Sequence, residues 1–243
     1  MIMSNKDTDK KVKARKKKKF KKRYWLLFDL ALTIIILALL FYKPARYRPP
    51  DNFSTSNNPG QISPYLTNVL LPQLHNGAQR DEPFDLEINQ KGINETIARY
   101  KWPRESNGVV LSAPTVFFVP DRIVLMGTAS IKGADLAVTV VTRPKLDEEG
   151  LLLLQVEKVK IGAMNLTPVA KMLAKRMYAE RIESVPVDLK DFRAKIAASL
   201  LNEEPFEPII NIHDIFDDVD EKVRIEKITI AQKKLTVRLV PAS

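Results

Sequence analysis

The sequence predicts an α+β protein: an N-terminal transmembrane helix followed by a curved antiparallel β-meander packed on two or three helices. Three observations carry this prediction. The nineteen residues from Tyr24 to Tyr42 contain a single charge, Asp29. Four extended runs rich in Val, Ile, Leu and Thr follow one another with only short turn segments between them. Two stretches with apolar residues at helical spacing then lead to a closing pair of strands.

The basic character of the chain belongs to its N-terminus. Formal net charge is +10, yet residues 1–48 hold 15 of the 39 Lys and Arg and only Asp7, Asp9 and Asp29 of the acids. The remainder carries 24 basic against 26 acidic residues and is close to neutral. Residues 1–23 therefore read as a basic tail. Tyr24–Tyr42, at 1.5 Å per residue, matches a hydrocarbon core of roughly 30 Å. Trp25, Phe28, Leu32, Ile35, Leu39 and Tyr42 are the expected anchor residues, with aromatics at both ends where rings favour headgroup depth. Twelve Lys and Arg precede the span and three closely follow it, which places the tail in the cytoplasm and the rest of the chain outside the cell membrane. A cleaved signal peptide fits less well: the apolar run is longer than the usual 7–15 residues, and KPARYRPP offers no small-x-small cleavage site. Asp29 sits near the cytoplasmic end, within reach of lysines, and needs no intramembrane function. The run Arg15–Lys19 suits anionic lipid headgroups. An RNA-binding arm would need interleaved aromatics for base stacking, and Phe20 alone does not supply them, so no nucleic-acid partner is expected.

Residues 43–82 carry six prolines around the polar stretch NFSTSNNPGQ and read as a linker, with one short helix at Ser63–Leu74. The folded domain is expected over 83–243. FDLEI opens it as a strand, and Lys91–Tyr100 follows as a helix with Ile93, Ile97 and Tyr100 on one face. The meander comprises Val109–Val119, Arg122–Ile131, Asp135–Arg143 and Leu151–Leu166. Turn residues stand between them at Pro120-Asp121, Lys132-Gly133 and Asp147–Gly150. Such short links force antiparallel neighbours, because parallel strands need a crossover of about a dozen residues. Thr167–Glu183 and Asp188–Leu201 are the two later helices, the first with Val169, Leu173 and Met177 in a stripe, Ala170, Ala174 and Tyr178 beside it and Thr167-Pro168 at its start, the second with Leu189, Phe192, Ile196 and Leu200 in its stripe. Pro208–Phe216, Lys222–Ile230 and Leu235–Val240 close the chain as strands.

Catalytic chemistry finds little support. There is no cysteine, and only His75 and His213 are present, so neither a thiolate site nor a Ser-His-Asp arrangement can be assembled. The acidic turn Asp214, Asp217, Asp218, Asp220, Glu221 lacks the glycine and spacing of a calcium loop and reads as solvated. No glycine-rich phosphate loop occurs. No catalytic residue, metal ligand or cofactor is expected. The unusual feature is the strands themselves: Leu151–Val156, Asp135–Val141 and Val116–Val119 are apolar on both faces, where a sheet with one wet face would alternate. They must be covered on both sides or line something apolar.

The segments FDLEINQKGINETIARY and VPDRIVLMGTASIKGADLAVTVVTRPKLDEEGLLLLQVEKVKIGAMNL, in this order behind an anchor and a proline-rich stalk, resemble the YpmS-like family of membrane-anchored bacterial envelope proteins. Ile93, Asn94, Ile97, Gly150, Leu152, Leu154, Val159, Ile161 and Gly162 carry the resemblance, over about Pro83–Pro241. That family looks like a relative of the tubular lipid-binding, or TULIP-like, domains, in which a curved sheet encloses an apolar groove for acyl chains. The resemblance implies a non-enzymatic domain binding a phospholipid or another acyl-chain ligand in envelope lipid handling or assembly. The residues expected to line its interior are Val138, Val140, Leu152, Leu154 and Val156 from the strands, with Met172, Leu173, Met177, Phe192 and Ile196 from the helices. The alternative is an accessory subunit of an envelope protein complex without a ligand cavity.

Overall fold

The computed structural model describes residues 24–45, 47, 63–100, 102–106, 108–184, 192–216 and 219–242. It is α+β, with two antiparallel sheets and several helices.

The first helix, α1, is described over residues 24–40, seventeen residues or about 25 Å of helix. Phe41 is already in a turn. Among the described residues no helix is long and apolar enough to cross a membrane. The basic tail 1–23 lies outside the described residues. The next helical segment begins in the expected linker and runs further than Leu74: a π turn at Leu66–Leu70 leads into α2 (Leu71–Ala78). The π turn has a physical cause in Pro72, which has no N–H to give and whose ring crowds the preceding turn. Tyr65, Leu74 and Ala78 are buried, so this part of the stalk is packed against the domain.

The smaller sheet has the order β1-β11-β10-β9, formed by β1 (Phe84–Asn89), β9 (Ile209–Asn211), β10 (Lys222–Ala231) and β11 (Lys234–Pro241). The closing hairpin therefore pairs with the opening strand, Leu86 opposite Val237, and not with the meander. In β10 the buried residues change parity, from Val223 and Ile225 to Ile230, across a bulge between Ile225 and Lys227. The extra residue lets both halves of the strand face the same core.

The larger sheet has seven strands. They are β2 (Arg104–Ser106), β3 (Val109–Leu111), β4 (Thr115–Val119), β5 (Arg122–Ile131), β6 (Ala134–Leu146), β7 (Leu152–Ile161) and β8 (Met164–Asn165). The expected run Val109–Val119 is broken in two ahead of Thr115, and β3 and β4 pair successively along the same edge of β5. Pro114 lacks the amide hydrogen a ladder position needs. The tight turns fall where the turn residues predict: Lys132 (φ +50°) and Gly133 (φ +81°) both take the left-handed conformation required by a two-residue hairpin.

Helix α3 (Gln90–Arg99) starts one residue before the expected position, capped by the Asn89 side chain, which accepts from Gly92 N at 2.6 Å. Tyr100 lies outside the helix and is exposed, contrary to the expected stripe. Asn94 bonds both backbone groups of Val116, at 2.6 and 2.8 Å, and Gln90 accepts from Phe118 N at 2.9 Å. These two side chains satisfy the free edge of β4. Helices α4 (Thr167–Ser184) and α5 (Phe192–Asn202) follow the meander.

Candidate functional site

A second bulge, at Glu157, organises the large sheet. Val156 pairs with Thr142 and Val159 with Val140, so one residue of β7 is extra between them. The shift keeps Leu152, Leu154, Val156, Val159 and Ile161 on one face despite their change of parity. It also turns Lys158 and Lys160 to the other face, with Val124, Met126 and Val141 of the neighbouring strands.

On the apolar face two cavities of about 200 Å³ adjoin one another. The first lies under α4 and α5 and is bounded by Val156, Val159, Ala170, Ala174, Leu200 and Leu201. The second lies toward β3, where Leu111, Pro114, Ala129 and Val138 enclose it beside Trp102. Leu125 and Val140 border both, so together the cavities form one shallow apolar trough across β5, β6 and β7. An ion pair between Lys171 and Glu203 stands at the rim of the first. Two adjoining volumes of this size are of the order of small-molecule pockets generally, roughly 300–1,000 Å³.

The expected lining residues separate into three groups. Val138, Val140 and Val156 border the trough. Leu152, Leu154, Phe192 and Ile196 instead belong to the principal core with Phe206, Ile212, Val223 and Leu239. Leu152 is buried and bridged to Phe206 through two backbone hydrogen bonds, and Leu154 N donates to the buried Ser199 hydroxyl at 2.8 Å. Met172 and Leu173 point away from the sheet, 69% and 53% exposed, as does Val169. The side chain of Met177 is outside the described residues. Helix α4 approaches the sheet through Ala170 and Ala174, whose short side chains allow close contact, and this sets its larger apolar residues outward. The expected lining also left out Leu125, Val159 and Leu200, the last of which periodicity places on the apolar stripe of α5. The pairing of Leu125 with Val140 and of Val140 with Val159 is the signal that would have joined them, and it depends on the Glu157 bulge.

Of the expected anchor residues, Trp25, Phe28, Leu32, Ile35, Leu39 and Tyr42 all lie in or just after α1 and are exposed. Large apolar side chains are exposed all round this helix. Its C-terminal end is fastened to the domain at the β7–β8 turn. Ala163 N donates to Leu39 O at 2.8 Å, and Gly162 (φ +58°) lies so close to the carbonyls of Leu39 and Leu40 that a Cβ there would collide with both. Tyr47, buried, shares a 2.9 Å hydrogen bond with the Thr128 hydroxyl.

No group of three or more His, Asp or Glu is placed to hold a metal ion among the described residues. His213 and Asp214 are exposed in a short 3-10 turn, while Asp217 and Asp218 fall outside the described residues. Among the described residues the carboxyl of Glu157 is shifted from its ordinary range. A 2.6 Å hydrogen bond from Arg122 holds its carboxyl below the usual carboxylate range against a desolvation that opposes it, and Arg143 adds to the lowering from 2.9 Å. No family model, curated protein or solved structure matches this chain.

Proposed function

We propose that this is a membrane-anchored, non-enzymatic domain that holds an acyl chain, of a phospholipid or a similar ligand, in the trough of the large sheet. The observation that carries the proposal is the trough itself: two adjoining cavities that share Leu125 and Val140 and are walled mostly by apolar side chains, the first beneath α4 and α5 with Lys171, Lys175 and Glu203 among its lining, the second beside Trp102. Water gains few hydrogen bonds in such a place, whereas a hydrocarbon chain gains about 0.8 kcal/mol per buried methylene.

In this reading α1, with Phe41 and Tyr42 after it, is the anchor, the N-terminal tail is in the cytoplasm and the domain outside. A helix apolar on every side needs either a protein core or lipid around it, and its large apolar side chains stay exposed while its C-terminal end is hydrogen-bonded to the domain. The resemblance to YpmS-like and TULIP-like proteins belongs to the same proposal. Native mass spectrometry of the full chain, released from gentle detergent, tests it. Adducts of phospholipid or fatty-acid mass that Val140→Trp removes are the expected result. A lipid-free mass together with no uptake of a fluorescent fatty acid would overturn it.

The exposed apolar residues Val169, Met172 and Leu173 on α4 favour a second reading, an accessory subunit whose partner covers that face. Extraction in mild detergent would then yield a stoichiometric partner that Met172→Glu releases, and the isolated chain alone would count against it.

A further inference from the structure

The opposite face of the large sheet carries a second cavity, a groove of about 550 Å³ closed on one side by Tyr42 and Pro44, which follow directly after α1. Val124, Met126 and Val141 form its apolar floor, and Arg122, Lys158 and Lys160 stand around it with Glu157 as the one carboxylate. That carboxylate is already shared between two guanidinium groups, Arg122 at 2.6 Å and Arg143 at 2.9 Å. Lys158 and Lys160 have no ion-pair or hydrogen-bond partner among the described residues, although Lys160 is partly buried. Two cations brought side by side over an apolar floor, with the nearby acid already engaged, leave a charge that an anionic ligand would complete.

The position of the groove narrows the ligand. Lys160 is two residues from Gly162, which is pressed against the last carbonyls of α1, so it lies within about 7 Å of that contact along the strand. The headgroup layer of each leaflet is of similar thickness, roughly 5–8 Å. We infer that the groove binds the phosphate of an anionic phospholipid of the surrounding bilayer, with Lys158 and Lys160 on the phosphate and Met126, Val141 and Tyr42 against the glycerol and first methylenes. This inference rests on the reading of α1 as a membrane anchor, but not on occupancy of the trough.

The test uses the full chain in nanodiscs of mixed phosphatidylcholine and phosphatidylglycerol, with mass spectrometry of the lipids it retains when the disc is disrupted. The wild type is expected to retain phosphatidylglycerol enriched roughly tenfold over its share of the disc. Lys158→Gln with Lys160→Gln should return the ratio to that of the disc, as should Val124→Trp, which fills the groove and leaves the lysines in place. Lys132→Gln with Lys227→Gln, exposed positions that do not line the groove, should change nothing. All variants keep the basic tail, so its own attraction for anionic lipid cancels. Enrichment that persists in the lysine and tryptophan variants, or that inorganic phosphate abolishes, would overturn the inference. Incorporation into discs without enrichment overturns the groove alone, whereas failure to incorporate brings down the anchor reading with it.

Discussion

The two sheets of this domain are made of similar residues and use them differently. In the small sheet, polar and apolar residues alternate along β10, and inward side chains are closed off: Leu239 is 0% exposed and Val223 is 1% exposed. In the large sheet nearly every residue of β5 is only partly buried, and cavities lie on both faces of the strands. Apolar content alone therefore does not make a core. What distinguishes the sheets is whether a neighbouring element brings side chains long enough to fill the space. The small sheet meets Leu74 of α2, Phe206 and Ile212, whereas over the trough the large one meets the alanines of α4.

Core truncation should separate the two sheets by the widest margin. Leu239→Ala should destabilise the full chain by about 3–4 kcal/mol, read by urea unfolding, because the closed core cannot collapse around the loss. Val140→Ala, at the open trough, should cost about 1 kcal/mol or less. Equal losses would mean that the large sheet is as tightly packed as the small one. Next in size is Gly162→Val. Its positive φ and the adjacent carbonyls of Leu39 and Leu40 leave no place for a branched side chain, so a loss of about 1–3 kcal/mol is expected. It should appear with faster proteolysis between α1 and the domain.

Enlarging substitutions sharpen the same contrast. Val140→Phe should fall within about 0.5 kcal/mol of wild type by entering the trough, while Val237→Phe in the small sheet should cost about 1–3 kcal/mol through overpacking. The smallest effect concerns Glu157. Its carboxyl titrates lower in the folded chain than in the unfolded chain, so its contribution is complete above the ordinary carboxylate range and is lost as pH falls through the folded value. Glu157→Gln should remove that acid-side dependence while costing about 0.5 kcal/mol at neutral pH, since Arg122 and Glu157 are both partly solvated. A melting series from pH 7 down to pH 3 on both proteins measures it.

Much of the architecture was legible residue by residue. The short links Pro120-Asp121 and Lys132-Gly133 fixed neighbours and direction, and the antiparallel pairs β4·β5 and β5·β6 follow from them. The α3 stripe of Ile93 and Ile97 packs where periodicity places it, against Val116 and Phe118. The separation into two sheets was not legible, because β1 and β11 are about 150 residues apart and no local signal selects that pairing over an extension of the meander. Sequence periodicity also centred the apolar face of α4 on Val169 and Leu173, with Ala170 and Ala174 beside them. Val169 and Leu173 are spaced for burial, but the neighbouring Ala170 and Ala174 permit the closer approach. Finally, strict alternation could not place Val156 and Val159 on one face. Only the Glu157 bulge does that, and with it both the trough and the basic groove come into being.

Photo-crosslinking decides whether the apolar face of the large sheet holds a hydrocarbon chain. The full chain, in detergent or bilayer discs, is irradiated with a diazirine-bearing fatty acid and the adducts are mapped by peptide sequencing. Adducts on β5, β6 and α5, around Leu125, Val140 and Leu200, and suppressed by Val140→Trp, are the predicted result. Adducts confined to α1, or to the exposed Met172 and Leu173, would contradict it and show that this face is only loosely filled core.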